Sequence, residues 1–119
     1  MAVLSRCGLD LRLPDPPFHG TEYLRPIRTS RQFLEIAGVF QNCLELRLDD
    51  ALSGAKAFYV WLGAEALIVE LSLVNGLWWQ LSEVNGYRNY GHRDDTEAAL
   101  VAQLKLSEIN RIRLEIIAP

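Results

Sequence analysis

Three residues could carry chemistry: Glu70, Arg88 and His92, which the strand pattern places on one face of a predicted sheet. A glutamate or a histidine can act as a general base when its surroundings remove water. The same residue types also form the polar part of protein interfaces, where an arginine pairs with a carboxylate. We therefore predict no catalytic residue and assign these three side chains to a binding face.

Other reactive groups do not form a recognisable site in the sequence. The two histidines, His19 and His92, do not have the spacing of metal ligands. The chain contains neither a glycine-rich phosphate loop nor a G-x-S-x-G nucleophile motif. Cys7 and Cys43 are expected to be reduced thiols that pack as small apolar residues. The sequence thus predicts no metal and no cofactor.

The composition indicates an ordinary globular protein. The chain has 119 residues, of which 50% are hydrophobic and 23% charged, so residues 1–119 are predicted to form one domain. A net charge of −3 and twelve scattered lysines and arginines argue against nucleic acid and membrane surfaces as partners. Without a signal peptide or an apolar stretch long enough to span a bilayer, the predicted location is the cytoplasm.

Hydrophobic periodicity supplies the predicted elements, since a period of two indicates strands and a period near 3.6 indicates helices. Thr29 and Gln32 have the spacing of a capping box, and three prolines within residues 14–17 prevent sheet pairing there. The predicted strands are 9–13, 43–50, 56–63, 66–73, 77–84, 87–92 and 107–117, the predicted helices are 29–42 and 94–106, and residues 14–28 form an irregular proline-rich connection.

This order of elements predicts an α+β fold. Consecutive strands joined by short turns form antiparallel sheets, and the two helices flank the run of strands. We expect an antiparallel meander of about four to six strands with two α-helices packed on one face.

The triplet Val-Asn-Gly occurs twice, ten residues apart, and its first copy determines which tryptophan enters the core. A three-residue loop with Gly76 in the left-handed conformation places Trp79 on the same face as Val69 and Leu71. A two-residue loop would place these apolar side chains on opposite faces. A four-residue loop over residues 63–66 would add the side chains of the preceding strand to that core face: Phe58, Val60 and Leu62.

The opposite face combines large aromatic side chains with charged and polar ones. A contiguous exposed apolar surface commonly marks a binding site. The predicted binding residues are Tyr59, Trp61, Glu70, Trp78, Gln80, Arg88, Tyr90 and His92.

The predicted function is that of a small non-enzymatic binding protein whose aromatic face holds another protein or a second copy of itself, as in a dimer. In size, acidity and strand-rich composition the chain is similar to small immunity-type proteins that block a toxin, which implies a protein partner. An alternative is a small-molecule-binding protein or small enzyme in which the same aromatics line a cleft. A further alternative is that one of the protein's own helices covers this face.

Overall fold

A computed structural model describes residues 10–41, 44–87 and 94–117 of the chain, with side chains described as far as residue 113. The elements in chain order are β1 (Leu24–Pro26), α1 (Ser30–Phe40), a 3₁₀ helix (Leu44–Arg47), α2 (Leu48–Ser53), β2 (Lys56–Leu62), β3 (Ala66–Val74), β4 (Trp78–Asn85) and α3 (Asp95–Ile117).

The four strands form one antiparallel sheet in the order β1-β2-β3-β4, so each strand pairs with its neighbours in sequence. The described residues therefore have the predicted α+β fold with an antiparallel meander. The short strand β1 lies within the connection predicted to be irregular. It ends at Pro26, which fits an edge strand because proline has no N–H to donate to a ladder.

Helix α1 begins as its sequence predicts. The Thr29 side chain accepts a hydrogen bond from the Gln32 N–H at 3.2 Å, and the Gln32 side chain accepts one from the Arg28 N–H at 2.8 Å. The first bond satisfies an N–H group that the first turn of a helix leaves without a partner, and the second joins Gln32 to the residue before the cap. The helix ends at Gln41, which has a left-handed backbone with φ 50°.

The β3–β4 hairpin confirms the three-residue loop that places Trp79 in the core. Asn75 to Leu77 connect the paired residues Val74 and Trp78. This loop begins one residue later than predicted. Asn75 and Gly76 both have positive φ, 53° and 68°, which is typical of a type I′ turn rather than the predicted type I turn.

A bulge follows in the same ladder. Glu70 pairs with Glu83, whereas Leu71 pairs with Leu81, so β4 contains one extra residue, Ser82. A bulge changes the direction of the side chains beside it. The second Val-Asn-Gly triplet then begins inside β4, since Asn85 still pairs with Ile68. Most of the strand predicted over 87–92 lies outside the described residues.

The β2–β3 connection differs from the prediction by one residue, and this difference exchanges the faces on which the β2 side chains lie. Leu62 pairs with Ala66, so the loop contains three residues, 63–65, rather than four. Trp61 consequently lies opposite Leu67, and Tyr59 lies opposite Val69. Because strand side chains alternate between faces, a shift of one residue moves every side chain to the other face. Tyr59 and Trp61 therefore lie on the same face as Val69 and Leu71, and Phe58 and Val60 lie on the opposite face.

Helices pack against the sheet in two separate hydrophobic clusters. The α3 face is the one whose side chains pack with Ala98, Ala102 and Leu106 of helix α3. The α1 face is the opposite one, where helices α1 and α2 pack against Phe58 and Ile68. The α3 face carries Leu24, Tyr59, Trp61, Leu67, Val69, Leu71 and Trp79.

Two predicted strands are helical in the structure. Residues 43–50 were predicted from alternating leucines, but Leu44 and Leu48 are buried at helical spacing while Leu46 is 78% exposed. Residues 107–117 continue helix α3 to Ile117, and Ile112 is exposed. Short segments with an apolar residue at every second position are ambiguous between the two periods.

Candidate functional site

Two members of the predicted binding face, Tyr59 and Trp61, are core residues. Their exposed fractions are 0% and 1%, and they belong to the hydrophobic cluster that includes Ala98, Ala102 and Leu106 of helix α3. Phe18 stacks on the Tyr59 ring with 4.4 Å between centroids. The prediction that these two aromatics share a surface with Trp78 is therefore wrong, because it depended on the four-residue loop.

The polar atoms of these two aromatics have partners inside the protein. The Tyr59 hydroxyl donates to the Phe18 carbonyl oxygen and accepts from the Phe18 N–H. Burial raises the pKa of this hydroxyl, although the Phe18 hydrogen bond acts in the opposite direction. The Trp61 indole N–H donates to Asp94 Oδ2 at 3.2 Å. Buried tyrosines and tryptophans usually find such partners, so neither side chain is arranged to bind a ligand.

Asp94 connects the β2–β3 loop to the start of helix α3. Its Oδ2 also accepts from the Glu65 N–H at 3.1 Å, and the Asp94 carboxylate is buried. A Cβ atom at Gly63 would overlap both Trp61 Nε1 and Asp94 Oδ2. Only glycine allows the loop to approach this closely. These contacts fix the β2–β3 loop against the start of helix α3.

Glu70 lies on the α1 face, as predicted, but in a network of charges rather than in contact with solvent. Its side chain is 3% exposed. Arg47 Nη1 donates to Glu70 Oε1 at 2.8 Å, and Lys56 Nζ donates to Glu70 Oε2 at 3.2 Å. Arg47 also bonds Glu83, and Glu83 accepts from Asn85 Nδ2 at 3.0 Å. Both Glu70 oxygens thus accept hydrogen bonds from cationic side chains.

The charges in this network stabilise one another. The hydrogen bond from Arg47 lowers the pKa of Glu83, and the Arg47 charge adds to this effect. Burial alone would lower the pKa of Arg47, but its hydrogen bonds and charge interactions with Glu83 and Glu70 outweigh burial and raise it. Arg47 and Glu83 therefore stay charged at neutral pH. A buried carboxylate needs such partners because an unpaired buried charge is strongly unfavourable.

Trp78 and Gln80 remain on an open part of the α1 face. Trp78 is 37% exposed, whereas Trp61 and Trp79 are 1% and 9% exposed. Ser82 follows in the bulge and hydrogen-bonds Ser72 across the ladder. We call this row of side chains the β4 strip. It consists of Trp78, Gln80, Ser82 and Glu83.

Three predicted binding residues, Arg88, Tyr90 and His92, lie outside the described residues. Their assignment to the same face remains a prediction.

The sequence analysis missed the side chains that hold Glu70. Arg47 was predicted to lie on a strand, and Lys56 and Glu83 were not selected. A cross-strand pair of glutamates would have indicated a nearby cation, since like charges opposite each other are unfavourable. Finding that pair requires the bulge at Ser82, and the bulge has no clear signal in the sequence.

Within the described ranges, no group of three or more His, Cys, Asp or Glu side chains is arranged to hold a metal ion. The same part of the chain contains no helix that is long and apolar enough to cross a membrane.

Comparisons with known proteins return no match. No protein-family model matches the chain, no curated protein is significantly similar to it, and no solved structure is significantly similar to its fold.

Proposed function

We propose that this chain is a small non-enzymatic binding protein that holds another protein against the β4 strip. The observation that carries the proposal is the contrast among the three tryptophans. Trp61 and Trp79 are core residues, whereas Trp78 keeps 37% of its surface in contact with solvent on the less covered part of the sheet. Tryptophan is among the residues that contribute most binding energy in protein interfaces.

The surroundings of Trp78 have the composition of an interface. Leu77 next to it is 45% exposed, and Gln80 is exposed one step further along β4. At the other end of the strip, Glu83 pairs with Arg47, whose side chain is 34% exposed. Apolar and aromatic side chains beside polar ones are typical of protein interfaces. Arginine is also frequent at their energetic centres.

The shape of the strip favours a protein over a small molecule. Its side chains follow one strand of a sheet, so they present a linear surface, whereas small ligands bind in concave sites that enclose most of their area. A second copy of the chain is the runner-up partner. That interface would be isologous, with the same strip on both copies.

Site-specific photo-crosslinking in the native host tests this proposal. A photoreactive amino acid at position 78 should capture one protein, because that side chain would lie within the interface. The matched control places the same residue at position 104, since Leu104 is exposed on the helix that covers the opposite face. Equal capture from both positions, or none from position 78, would argue against the β4 strip. A captured second copy of this chain would select the runner-up.

A further inference from the structure

The outer edge of β4 is closed by a side chain of helix α3. The Asn110 Oδ1 accepts a hydrogen bond from the Trp79 N–H at 3.1 Å, and Asn110 Nδ2 donates to the Trp79 carbonyl oxygen at 2.9 Å. Asn110 therefore satisfies both backbone groups of one strand residue. In an antiparallel ladder, the next strand would supply this pair of bonds.

The position of Trp79 makes this contact informative. Among the described residues, β4 is the last strand in the sheet order, so its outward backbone groups pair with no further strand there. Outward groups recur at every second residue, at Trp79 and then at Leu81. The bulge at Ser82 interrupts the regular edge just beyond Leu81. Between the Asn110 contact and the bulge, Leu81 is therefore the one β4 residue whose backbone groups point outward along a regular edge.

The other edge of the sheet is protected by different means. Strand β1 has three residues and ends at Pro26, which cannot donate to a ladder. Short edge strands, prolines and bulges are common protections against pairing between chains. Of the two edges, β4 is the longer, with eight residues. Its protections are the Asn110 amide, the bulge at Ser82 and the part of helix α3 that lies beside Trp79 and Leu81.

We infer that Asn110 is a latch that prevents β4 from adding a strand of a second copy of this chain. Without the latch, two copies would associate edge to edge, with β4 of one copy paired to β4 of the other. This inference does not depend on the proposed function, because the β4 strip uses the side chains on the α1 face and the latch uses the backbone edge.

The Asn110→Leu variant tests the latch, since leucine has a similar volume and cannot make either bond. We expect the Trp79 amide to exchange with deuterium about fivefold faster or more, as expected for the loss of one net hydrogen bond. Sedimentation should show association above that of the unchanged protein, increasing with concentration. Ser107→Ala is the matched control, because Ser107 lines the same groove between α3 and β4.

A second substitution tests whether the association of the Asn110→Leu variant occurs through the β4 edge. Adding Gln80→Lys to Asn110→Leu should reverse the association, because a lysine on an edge strand opposes pairing. Near-ultraviolet circular dichroism identifies the variants that keep the native packing. If Asn110→Leu does not fold, Asn110→Ser provides the same comparison.

Two results would overturn the inference. One is a folded Asn110 variant that associates no more than the unchanged protein while its Trp79 amide exchanges faster. The other is association that Gln80→Lys does not reverse, because the contact would then lie elsewhere.

Discussion

The α3 face and the α1 face of the sheet satisfy their buried polar atoms in different ways. On the α3 face, the indole of Trp61 donates to Asp94 and the hydroxyl of Tyr59 bonds Phe18. Both side chains are buried in the cluster that includes residues of helix α3. On the α1 face, Glu70 is held by two cations that are themselves partly exposed. The α3 face is therefore a sealed core, and the α1 face stays open along β4.

This difference determines which tryptophan can serve in binding. A tryptophan that packs under a helix contributes to folding, and its removal leaves a cavity. A tryptophan on the open part of a sheet contributes little to folding and remains available to a partner. The following substitutions test this contrast, beginning with the largest expected effect.

Trp61→Ala should lower the free energy of unfolding by about 3–5 kcal/mol, because it removes a buried ring and leaves the Asp94 carboxylate without its indole donor. Trp78→Ala should change the same quantity by about 1 kcal/mol or less. Urea denaturation of the two variants measures both values. Similar losses for the two substitutions would contradict the assignment of faces.

Gly63→Ala should destabilise the protein by about 1–3 kcal/mol, because the added methyl group must displace Trp61 or Asp94. The matched control is Gly38→Ala in helix α1, where an added Cβ meets no atom within 4 Å. This control should stabilise the protein by about 0.5–1 kcal/mol. Thermal denaturation of both variants would sharpen the comparison, and a neutral Gly63→Ala would show that the loop can relax.

The sequence was sufficient for some features because their signals are local. A few adjacent residues determine the Thr29 cap and the helix that follows it. The same is true of the odd number of residues in the Asn75–Leu77 loop. This loop correctly placed Trp79, Val69 and Leu71 on one buried face.

Other features depend on contacts between distant segments. The face of Tyr59 and Trp61 changes with one residue in the loop at 63–65, and several loop lengths are compatible with that sequence. The Arg47 contact with Glu70 joins residues 23 positions apart, and it forms only because residues 44–53 are helical. The alternating leucines of this segment are typical of a strand. In the structure the segment is helical, and Leu44 and Leu48 pack in one cluster with Phe58.

Arg47→Met should destabilise the protein because Glu70 would keep only Lys56 as a charged partner. Breaking a fully buried pair costs about 3–5 kcal/mol. Since Arg47 is partly exposed, we expect a loss on the order of 1–2 kcal/mol. The double variant Arg47→Met/Glu70→Leu should recover part of that loss, because it leaves no unpaired buried charge. Chemical denaturation measures both, and an unchanged single variant would contradict the role of the network.

Acid should weaken the α1 face through Glu83. Arg47 lowers the pKa of this carboxyl below its ordinary value of 4.5, so its contribution to stability is present above about pH 4.5. The contribution is lost as the pH falls through the lower pKa of the folded state. Glu83→Gln should therefore reduce the decrease in melting temperature below pH 4.5 relative to the unchanged protein. Identical pH profiles for Glu83→Gln and the unchanged protein would show that Glu83 does not contribute to the pH dependence of stability.

We propose that Trp78 anchors a protein partner on the open α1 face. Its most direct test is the dissociation constant of the partner captured at position 78, measured with Trp78→Ala and with Leu104→Ala. Loss of an anchor worth about 2 kcal/mol weakens binding about thirtyfold, so we expect that change for Trp78→Ala and none for Leu104→Ala. Circular dichroism should show that both variants keep the fold. An unchanged dissociation constant for folded Trp78→Ala, or an equal loss for Leu104→Ala, would contradict the claim.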